Sequence, residues 1–262
     1  MRTINFVRST LIACTAGSAF LLAGAAIAQP ANPTPFQQSV IEAMQGDIRS
    51  DKDRARDANR MPAEVLEFFR MREDMKVLEV LPGGGWYTKI LGPVLKDSGK
   101  LYVTNPPGIY QEIFQPTSEL AGLEDVEQID WNGHPSPTGG FFEPSGEWDI
   151  EPVDLVLTFR NYHNFSSQDR MDVNKSTYDA LKPGGLYGIV DHTRRHMEPG
   201  NEENGRRIDP VLNIKEVMEA GFIFVDFTDV LARPQDALAL EVAKPGVTGQ
   251  SDRYTLLFQK PE

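Results

Sequence analysis

The sequence predicts an α/β fold in which helices cover both faces of a doubly wound, mostly parallel sheet of seven strands. Short apolar runs of strand length alternate with amphipathic helical segments through most of the chain. The last two strand-like runs have no long periodic helix between them. The alternation favours right-handed parallel crossovers, and the final pair favours an antiparallel edge.

The amino terminus has the pattern of a secretory signal peptide. Arg2 and Arg8 precede an apolar run, residues 11–28, that ends in Ala26-Ile27-Ala28. The alternatives are a membrane anchor, since the run is nearly long enough to span a bilayer, and lipidation at Cys14. Prolines after the run disfavour the anchor, and the apolar stretch before Cys14 is short for a lipoprotein. We therefore expect residues 1–28 to be removed and the chain to be periplasmic or secreted, with no stable membrane anchor.

Composition limits the classes of partner. The chain has 262 residues, of which 40% are hydrophobic and 24% charged, as in a globular protein with one sizeable core. Cys14 is its only cysteine, so the mature chain would have no disulfide and no thiol nucleophile. The formal charge is −12, and loss of Arg2 and Arg8 would leave −14. This balance argues against nucleic acid and anionic membranes, and it favours a small, neutral to cationic substrate. The oligomeric state is not predicted.

Residues 29–60 form a polar leader before the predicted domain, residues 61–262. The leader has a proline-rich linker, an amphipathic segment over residues 36–44 and a run of mixed charges over residues 49–57. Mixed charges of this kind predict a solvated helical face. A lid over a functional site is the alternative interpretation.

The domain itself contains the alternating elements. The predicted strands are residues 76–81, 100–104, 126–129, 153–159, 186–190, 222–230 and 254–259. Helices are predicted to begin at Pro62 and Trp86, after a capping box at Ser166, and at Asp209. Residues 131–152 are rich in glycine, proline and acidic side chains without periodicity, and they predict a long loop beside the site.

Three consecutive glycines follow the first predicted strand. Gly83, Gly84 and Gly85 would let the backbone turn sharply and present its amides to a ligand at the start of the next helix. Glu79 lies in the otherwise apolar strand and needs hydrogen bonds, from the loop amides or from a ligand. The run 77–85 therefore predicts a site for a nucleoside-containing ligand, with a tight turn that binds nothing as the alternative.

A dinucleotide fits this loop poorly. The dinucleotide fingerprint has glycine or alanine where this chain has Thr88, and the second strand, residues 101–105, ends without the expected acidic residue. An NAD-linked oxidoreductase is therefore the weakest of the enzyme hypotheses.

Two motifs resemble those of class I methyltransferases that use S-adenosylmethionine. Residues 77–85 resemble the first motif of that family, and residues 181–186, Leu-Lys-Pro-Gly-Gly-Leu, resemble the turn before its fifth strand. The resemblance covers about residues 62–259. More narrowly, Asn-Tyr-His-Asn at residues 161–164 resembles a group of exported, uncharacterised methyltransferase-like proteins. The resemblance implies a Rossmann-like methyltransferase fold and S-adenosylmethionine as the cofactor.

The resemblance also assigns a cofactor site. Asp130 would bind the adenine amine, and Trp131 would stack on the ring. Leu81 and Asn105 depart from the family pattern, because a glycine and an acidic ribose-binding residue are usual there. The cofactor-binding set is Glu79, Pro82, Gly83, Gly84, Gly85, Asn105, Asp130, Trp131, Arg160 and Asn161.

Polar residues after the fourth and fifth strands would face the ligand crevice at the carboxyl edge of the sheet. His163 is the candidate general base, with a helix-capping or loop-bonding role as the alternative, and Tyr162 would shape the acceptor pocket. Arg160 would bind the cofactor carboxylate or an acidic substrate, or pair with a surface acid. A metal site at His192 and His196 would require residues 191–196 to be helical, and their place after a strand predicts a loop.

The predicted function is methyl transfer from S-adenosylmethionine to a small-molecule acceptor. The alternative is an exported nucleoside-ligand-binding protein of the same fold without catalytic activity, because the cofactor is made in the cytoplasm. The motifs tell more about the ligand than about the reaction.

Overall fold

A seven-stranded sheet forms the centre of the molecule. The computed structural model describes residues 30–105, 123–131, 133–134, 143–144 and 148–262. The strands of the sheet are Lys76–Val80 (β1), Lys100–Asn105 (β2), Glu127–Asp130 (β3), Val153–Phe159 (β4), Leu181–His192 (β5), Ile223–Thr228 (β6) and Arg253–Gln259 (β7). The helices are Pro35–Met44 (α1), Asp51–Arg54 (α2), Asp57–Arg60 (α3), Pro62–Phe68 (α4), Thr88–Leu95 (α5), Ser167–Ala180 (α6) and Pro210–Glu219 (α7).

The strand order is β3-β2-β1-β4-β5-β7-β6. Neighbours from β3 through β5 are parallel, and β7 is antiparallel to both β5 and β6. This arrangement confirms the predicted doubly wound, mostly parallel sheet of seven strands with an antiparallel edge. Outside that sheet, Gly133–His134 and Glu143–Pro144 form a short antiparallel ladder.

Most elements occur where the sequence predicts them, with shifted bounds. Ser166 caps α6 through the predicted capping box with Asp169. The helix expected from Trp86 begins at Thr88, because residues 83–87 form turns. The fifth strand begins at Leu181 rather than at residue 186, so the proline-glycine segment is part of the strand and carries a register shift against β4.

Two apolar cores cover the faces of the sheet, and strand alternation divides β1 between them. Val77 packs on one face with α1, α4 and α5, whereas Leu78 and Val80 pack on the other, where α6 and α7 lie. Glu79 shares the parity of Val77 and therefore faces the α1 side.

The leader is part of the first core. Val40, Ile41 and Met44 of α1 are at most 6% exposed, and α1 packs against α4 and α5. Residues 50–52 of the charged run are exposed, as predicted, but the solvated face is wrong for Arg49 and Asp57, which are buried. Their side chains form an ion pair, in which Arg49 Nη1 lies 3.0 Å from Asp57 Oδ2.

Two predictions fall largely or wholly outside the described residues. The signal peptide, residues 1–28, is one, and most of the predicted loop at residues 131–152 is the other. Among the helices of the described part, none has the length and apolar character needed to cross a membrane.

Candidate functional site

The glycine loop connects β1 to α5 through a series of left-handed residues. Leu81, Gly83 and Gly85 have φ angles of 55°, 58° and 70°. Leu81 thus adopts the conformation that a glycine would take at that position. The Gly85 amide donates to the Pro82 carbonyl at 3.1 Å, but the amides of Gly83 and Gly84 donate to no other group in the described part of the chain. Two backbone donors are therefore available to a ligand.

Glu79 lies beneath this loop and is 2% exposed. Its Oε2 accepts a hydrogen bond of 2.6 Å from the hydroxyl of Thr88, the first residue of α5. Burial raises the pKa of Glu79 to about 7, against the opposing effects of the Thr88 hydrogen bond and the Arg60 charge. The hydrogen-bond partner of Glu79 is thus Thr88 and not a loop amide. A dinucleotide fingerprint would have glycine or alanine at this position.

The ends of β2 and β3 bring two predicted cofactor residues together. Asn105 and Asp130 are paired in register at the carboxyl ends of these strands, and Asp130 is exposed. Trp131 is only 1% exposed, with its ring centroid 5.9 Å from that of Trp148. The structure therefore places Trp131 in the core and not on a free stacking surface.

Asn161 joins the end of β4 to the glycine loop. Its side-chain amide nitrogen donates to the Val80 carbonyl at 3.1 Å, the Leu81 carbonyl at 3.2 Å and the Thr158 hydroxyl at 2.9 Å. These bonds commit the nitrogen to positioning the loop. The neighbouring Arg160 has a φ of 64°, and its buried Nε has no hydrogen-bond partner in the described part of the protein.

His163 and Asp191 form a dyad across the ends of β4 and β5. His163 Nδ1 lies 2.6 Å from Asp191 Oδ1, and the His163 amide donates to Asp191 Oδ2 at 3.1 Å. A carboxylate only accepts hydrogen bonds, so this contact places the ring proton on Nδ1 and leaves Nε2 as the nitrogen that can accept a proton. The arrangement is that of a general base held by an acid.

Tyr162 does not lie with His163. A 3₁₀ turn, Tyr162–Asn164, directs Tyr162 into the second core, where it is fully buried. Its hydroxyl is hydrogen-bonded to Asn174 and Tyr187. The structure therefore does not place Tyr162 in the predicted acceptor pocket.

A cavity of about 740 Å³ opens beside the dyad. It lies at the carboxyl edge of the sheet, where Arg160 follows β4, His192 ends β5 and Arg253 begins the antiparallel β7. Residues of the leader and of the connection between β6 and β7 complete its wall. The leader thus contributes to a site, as the lid interpretation requires.

The two histidines considered for a metal site have other partners. Residues 191 and 192 end β5, and the segment that follows is not helical. His192 Nδ1 lies 2.9 Å from the Ser251 hydroxyl, whereas His196 Nδ1 lies 2.9 Å from Asp209 Oδ2. Burial and nearby cations lower the pKa of His192 well below its usual value, so it is neutral. In the described segments, no cluster of three or more candidate ligands is present.

Sequence reasoning missed three contributors to this region. The sequence indicates Asp191 only as part of residues 191–196, the segment weighed for a metal site, and its contact with His163 depends on the pairing of β4 with β5. Arg60 and Arg253 had no assigned role, because one lies in the leader and the other starts the last strand. No local pattern marks them, and only the folded chain brings them together.

Solved structures share this fold at low sequence identity. A SAM-dependent methyltransferase from Aquifex aeolicus is 18% identical, with a TM-score of 0.53 over 76% of this chain and 88% of that one. The [4+2]-cyclase SpnF is 17% identical, with a TM-score of 0.55 over 87% and 98% of the two chains. Human N-acetylserotonin methyltransferase, solved in complex with SAM, is 14% identical, with a TM-score of 0.51 over 87% and 58%. No family model and no curated protein sequence matches the chain.

Proposed function

We propose that this protein is an S-adenosylmethionine-dependent methyltransferase that acts on a small-molecule acceptor. The observation that carries the proposal is the glycine loop at the end of β1, an inner strand of a methyltransferase-like sheet, in which the Gly83 and Gly84 amides donate to no described group. Fold likeness alone would not suffice, since a cyclase shares the fold.

The residues near this loop fit the proposed cofactor. A nucleoside with an amino-acid tail presents hydroxyl and carboxylate oxygens, and the Gly83 and Gly84 amides of the loop are donors for them. Asp130, paired in register with Asn105 at the ends of β3 and β2, would offer its exposed carboxylate to the adenine amine. When bound, S-adenosylmethionine would supply an electrophilic methyl group.

The chain's own contribution to the reaction is a base and its support. His163 Nε2 would accept the proton that the acceptor loses, while Asp191 stabilises the imidazolium through Nδ1. Asn161 would hold the glycine loop in register with the base by its three hydrogen bonds. Positioning of this kind is the main requirement of an in-line transfer.

We also propose that the protein is exported. The support is the signal-peptide pattern of residues 1–28, with Ala26-Ile27-Ala28 before Gln29. Mass spectrometry of protein from the periplasm or medium should give an amino terminus at Gln29. A mass that retains residues 1–28 would contradict export with cleavage.

Calorimetry tests the cofactor. The mature chain, residues 29–262, should bind both S-adenosylmethionine and S-adenosylhomocysteine, and Gly83→Val should weaken binding tenfold or more because a side chain would stand in the path of the ligand. Gly246→Val is a matched control, since Gly83 and Gly246 both have positive φ and open space around the Cβ position. Absence of binding by the wild type would overturn the proposal.

A radiolabel assay tests the base. Transfer of labelled methyl groups to small molecules of a cell extract should fall about a hundredfold or more in His163→Gln, with cofactor affinity unchanged. An unchanged rate would remove His163 from the mechanism. Binding without any transfer by the wild-type protein would favour a ligand-binding protein that lacks the reaction.

A further inference from the structure

The cavity beside the dyad is lined by cations. Six basic side chains face it, and none of its described lining residues is acidic. They come from the leader, the end of β4, the segment before α7 and the start of β7. The six are Lys52, Arg56, Arg60, Arg160, Arg206 and Arg253.

Most of these cations form no ion pair within the described part of the protein. Arg206 pairs with Glu241, but no ion pair to a described carboxylate involves the other five. Nearby carboxylates are already engaged, Asp53 with Lys89 and Asp191 with His163. A chain with formal charge −12 thus leaves five cations without an ion-pair partner among the described residues, all at one cavity.

Burial makes this arrangement costly. Arg60 and Arg253 are 6% and 5% exposed, and the Nε of Arg160 is buried without a partner. Burial and the charge of Arg160 lower the pKa of Arg60, and the same two causes lower the pKa of Arg253 to about 10. Arg60 lies over the Trp86 ring, with its guanidinium carbon 4.4 Å from the centroid, and Arg253 Nε donates to the Ser251 carbonyl at 3.3 Å, but neither contact supplies a negative charge. Buried charges without a carboxylate partner destabilise a fold. A bound anion would remove that cost.

The cofactor does not supply that anion. S-adenosylmethionine carries a sulfonium and an ammonium group against a single carboxylate, so its net charge is positive. Five uncompensated cations would repel it. The cavity also adjoins the base His163, and not the paired ends of β2 and β3 where the nucleoside would lie.

We infer that this cavity binds a small polyanion, a molecule with two or more clustered phosphate or carboxylate groups. Its volume of about 740 Å³ is that of a small-molecule site. Arginine forks on several sides match the bidentate geometry of such groups. The inference rests on the proposed function only in naming this molecule as the methyl acceptor, since binding itself requires no transfer.

The net charge of the whole chain favours a small ligand over a polymer at this cavity. The surface carries a large negative excess, so a nucleic acid would meet repulsion outside the cavity. A compact polyanion would lie within the cavity and be shielded from that repulsion. A single-stranded oligonucleotide should therefore bind much more weakly than a small polyanion.

Calorimetry with tripolyphosphate and with citrate tests the inference on the mature chain. At low salt at least one of the two should bind, and the tighter one identifies phosphate or carboxylate as the preferred group. Arg60→Gln and Arg253→Gln should each weaken binding about tenfold or more. Lys52→Gln changes an exposed position, so the fold stays intact, and it should weaken polyanion binding about two- to fivefold.

A matched control removes the same charge elsewhere. Arg72→Gln changes an exposed arginine that pairs with Asp74 before the amino end of β1, and it should leave affinity unchanged. The inference is overturned if neither polyanion binds, if Arg72→Gln weakens binding as much as Lys52→Gln, or if an oligonucleotide binds as tightly. S-adenosylmethionine is titrated in a separate experiment. If the cofactor binds and neither polyanion does, this inference is contradicted and the proposed function still stands.

Discussion

Leu81 holds the chain in a left-handed conformation, with a φ of 55°, where β1 enters the glycine loop. This conformation costs an L-residue about 1–2 kcal/mol. The side chain is partly buried against the second core, so it gains contacts there that glycine would lack. Backbone strain and side-chain packing thus oppose each other at a single residue.

A pair of variants separates these two effects. Leu81→Gly and Leu81→Ala lose nearly the same contacts, but only glycine relieves the strain. We therefore expect Leu81→Gly to be more stable than Leu81→Ala by about 1 kcal/mol, the reverse of the order in ordinary strand positions. Urea denaturation measures the difference, and an alanine variant of higher stability would show that the residue is not strained.

Glu79 makes stability depend on pH. Its pKa of about 7 in the folded protein lies above the ordinary value of 4.5, so the folded state binds the proton more tightly than the unfolded chain. The stabilisation is complete below about pH 4.5 and is lost as the pH rises through 7. By the pH-linkage relation, the difference between a pKa of about 7 and one of 4.5 corresponds to about 3 kcal/mol of folding stability.

Glu79→Gln should remove this dependence, because glutamine keeps the shape and cannot ionise. Relative to the wild type, the variant should therefore gain stability between pH 4.5 and 8, as measured by denaturant unfolding at a series of pH values without ligand. A stability difference that stays constant over this range would contradict a raised pKa at Glu79.

For two adjacent residues, His163 and Tyr162, the sequence does not predict in which direction each side chain points. His163 and Tyr162 are adjacent in the chain, and both were assigned to the site because they follow a parallel strand. The 3₁₀ turn at residues 162–164 sends one ring toward Asp191 and the other into the core. Position at the end of a strand could be predicted, but side-chain direction after that strand depends on a turn with no strong sequence signal.

At the scale of elements, buried charges organise the leader internally, and Trp86 and Lys89 join it to the domain. Arg49 and Asp57 have side chains at most 1% exposed, and Arg49 also donates to the Met44 carbonyl at 2.7 Å. The Trp86 indole lies against this segment, with its centroid 4.9 Å from the Arg49 guanidinium carbon and its nitrogen bonded to the Asp53 carbonyl at 2.9 Å. Trp86 directly follows the glycine loop, so the leader supports the candidate cofactor site.

Removing one member of the Arg49–Asp57 pair should strongly destabilise the fold. Asp57→Ala would leave a buried guanidinium without its carboxylate, and the free energy of unfolding should fall by about 3–5 kcal/mol. Asp74→Ala breaks the exposed pair with Arg72, in which both side chains are 64% exposed, and should cost less than about 1 kcal/mol. Similar losses in the two variants would contradict a structural role for the buried pair.

The sequence predicts the strands but not the buried charges of the leader, and the two cases differ in the kind of signal. Apolar runs such as residues 153–159 indicate burial directly, because a strand covered on both faces needs hydrophobic side chains at most positions. The mixed charges of residues 49–57 are compatible with solvent or with buried pairing. Choosing between these requires the position of Trp86 and of Lys89, which only the fold supplies.

The whole molecule combines a negative surface with a positive cavity. Net charge predicted a neutral to cationic substrate, but a sum over the chain does not describe the six basic residues at the cavity. They are separated by as many as 201 positions, from residue 52 to residue 253. Fold class could be predicted because its signals are local and repeated. The charge of the site could not, because it arises from tertiary contacts between the leader and the last strand.

The same contacts predict that the leader and the sheet fold as one unit. Val40, Ile41 and Met44 are nearly fully buried, and each such side chain contributes about 1.5–3 kcal/mol. Their sum approaches the total stability of an ordinary domain, about 5–15 kcal/mol. A chain of residues 61–262 would also expose the apolar surfaces of α4 and α5 on which α1 packs. We therefore expect it to lack a cooperative thermal transition and to bind a hydrophobic dye, whereas residues 30–262 should melt cooperatively. Circular dichroism on the two chains measures this, and a cooperative transition of residues 61–262 near the temperature of the longer chain would show that the leader is an appendage to an independent domain.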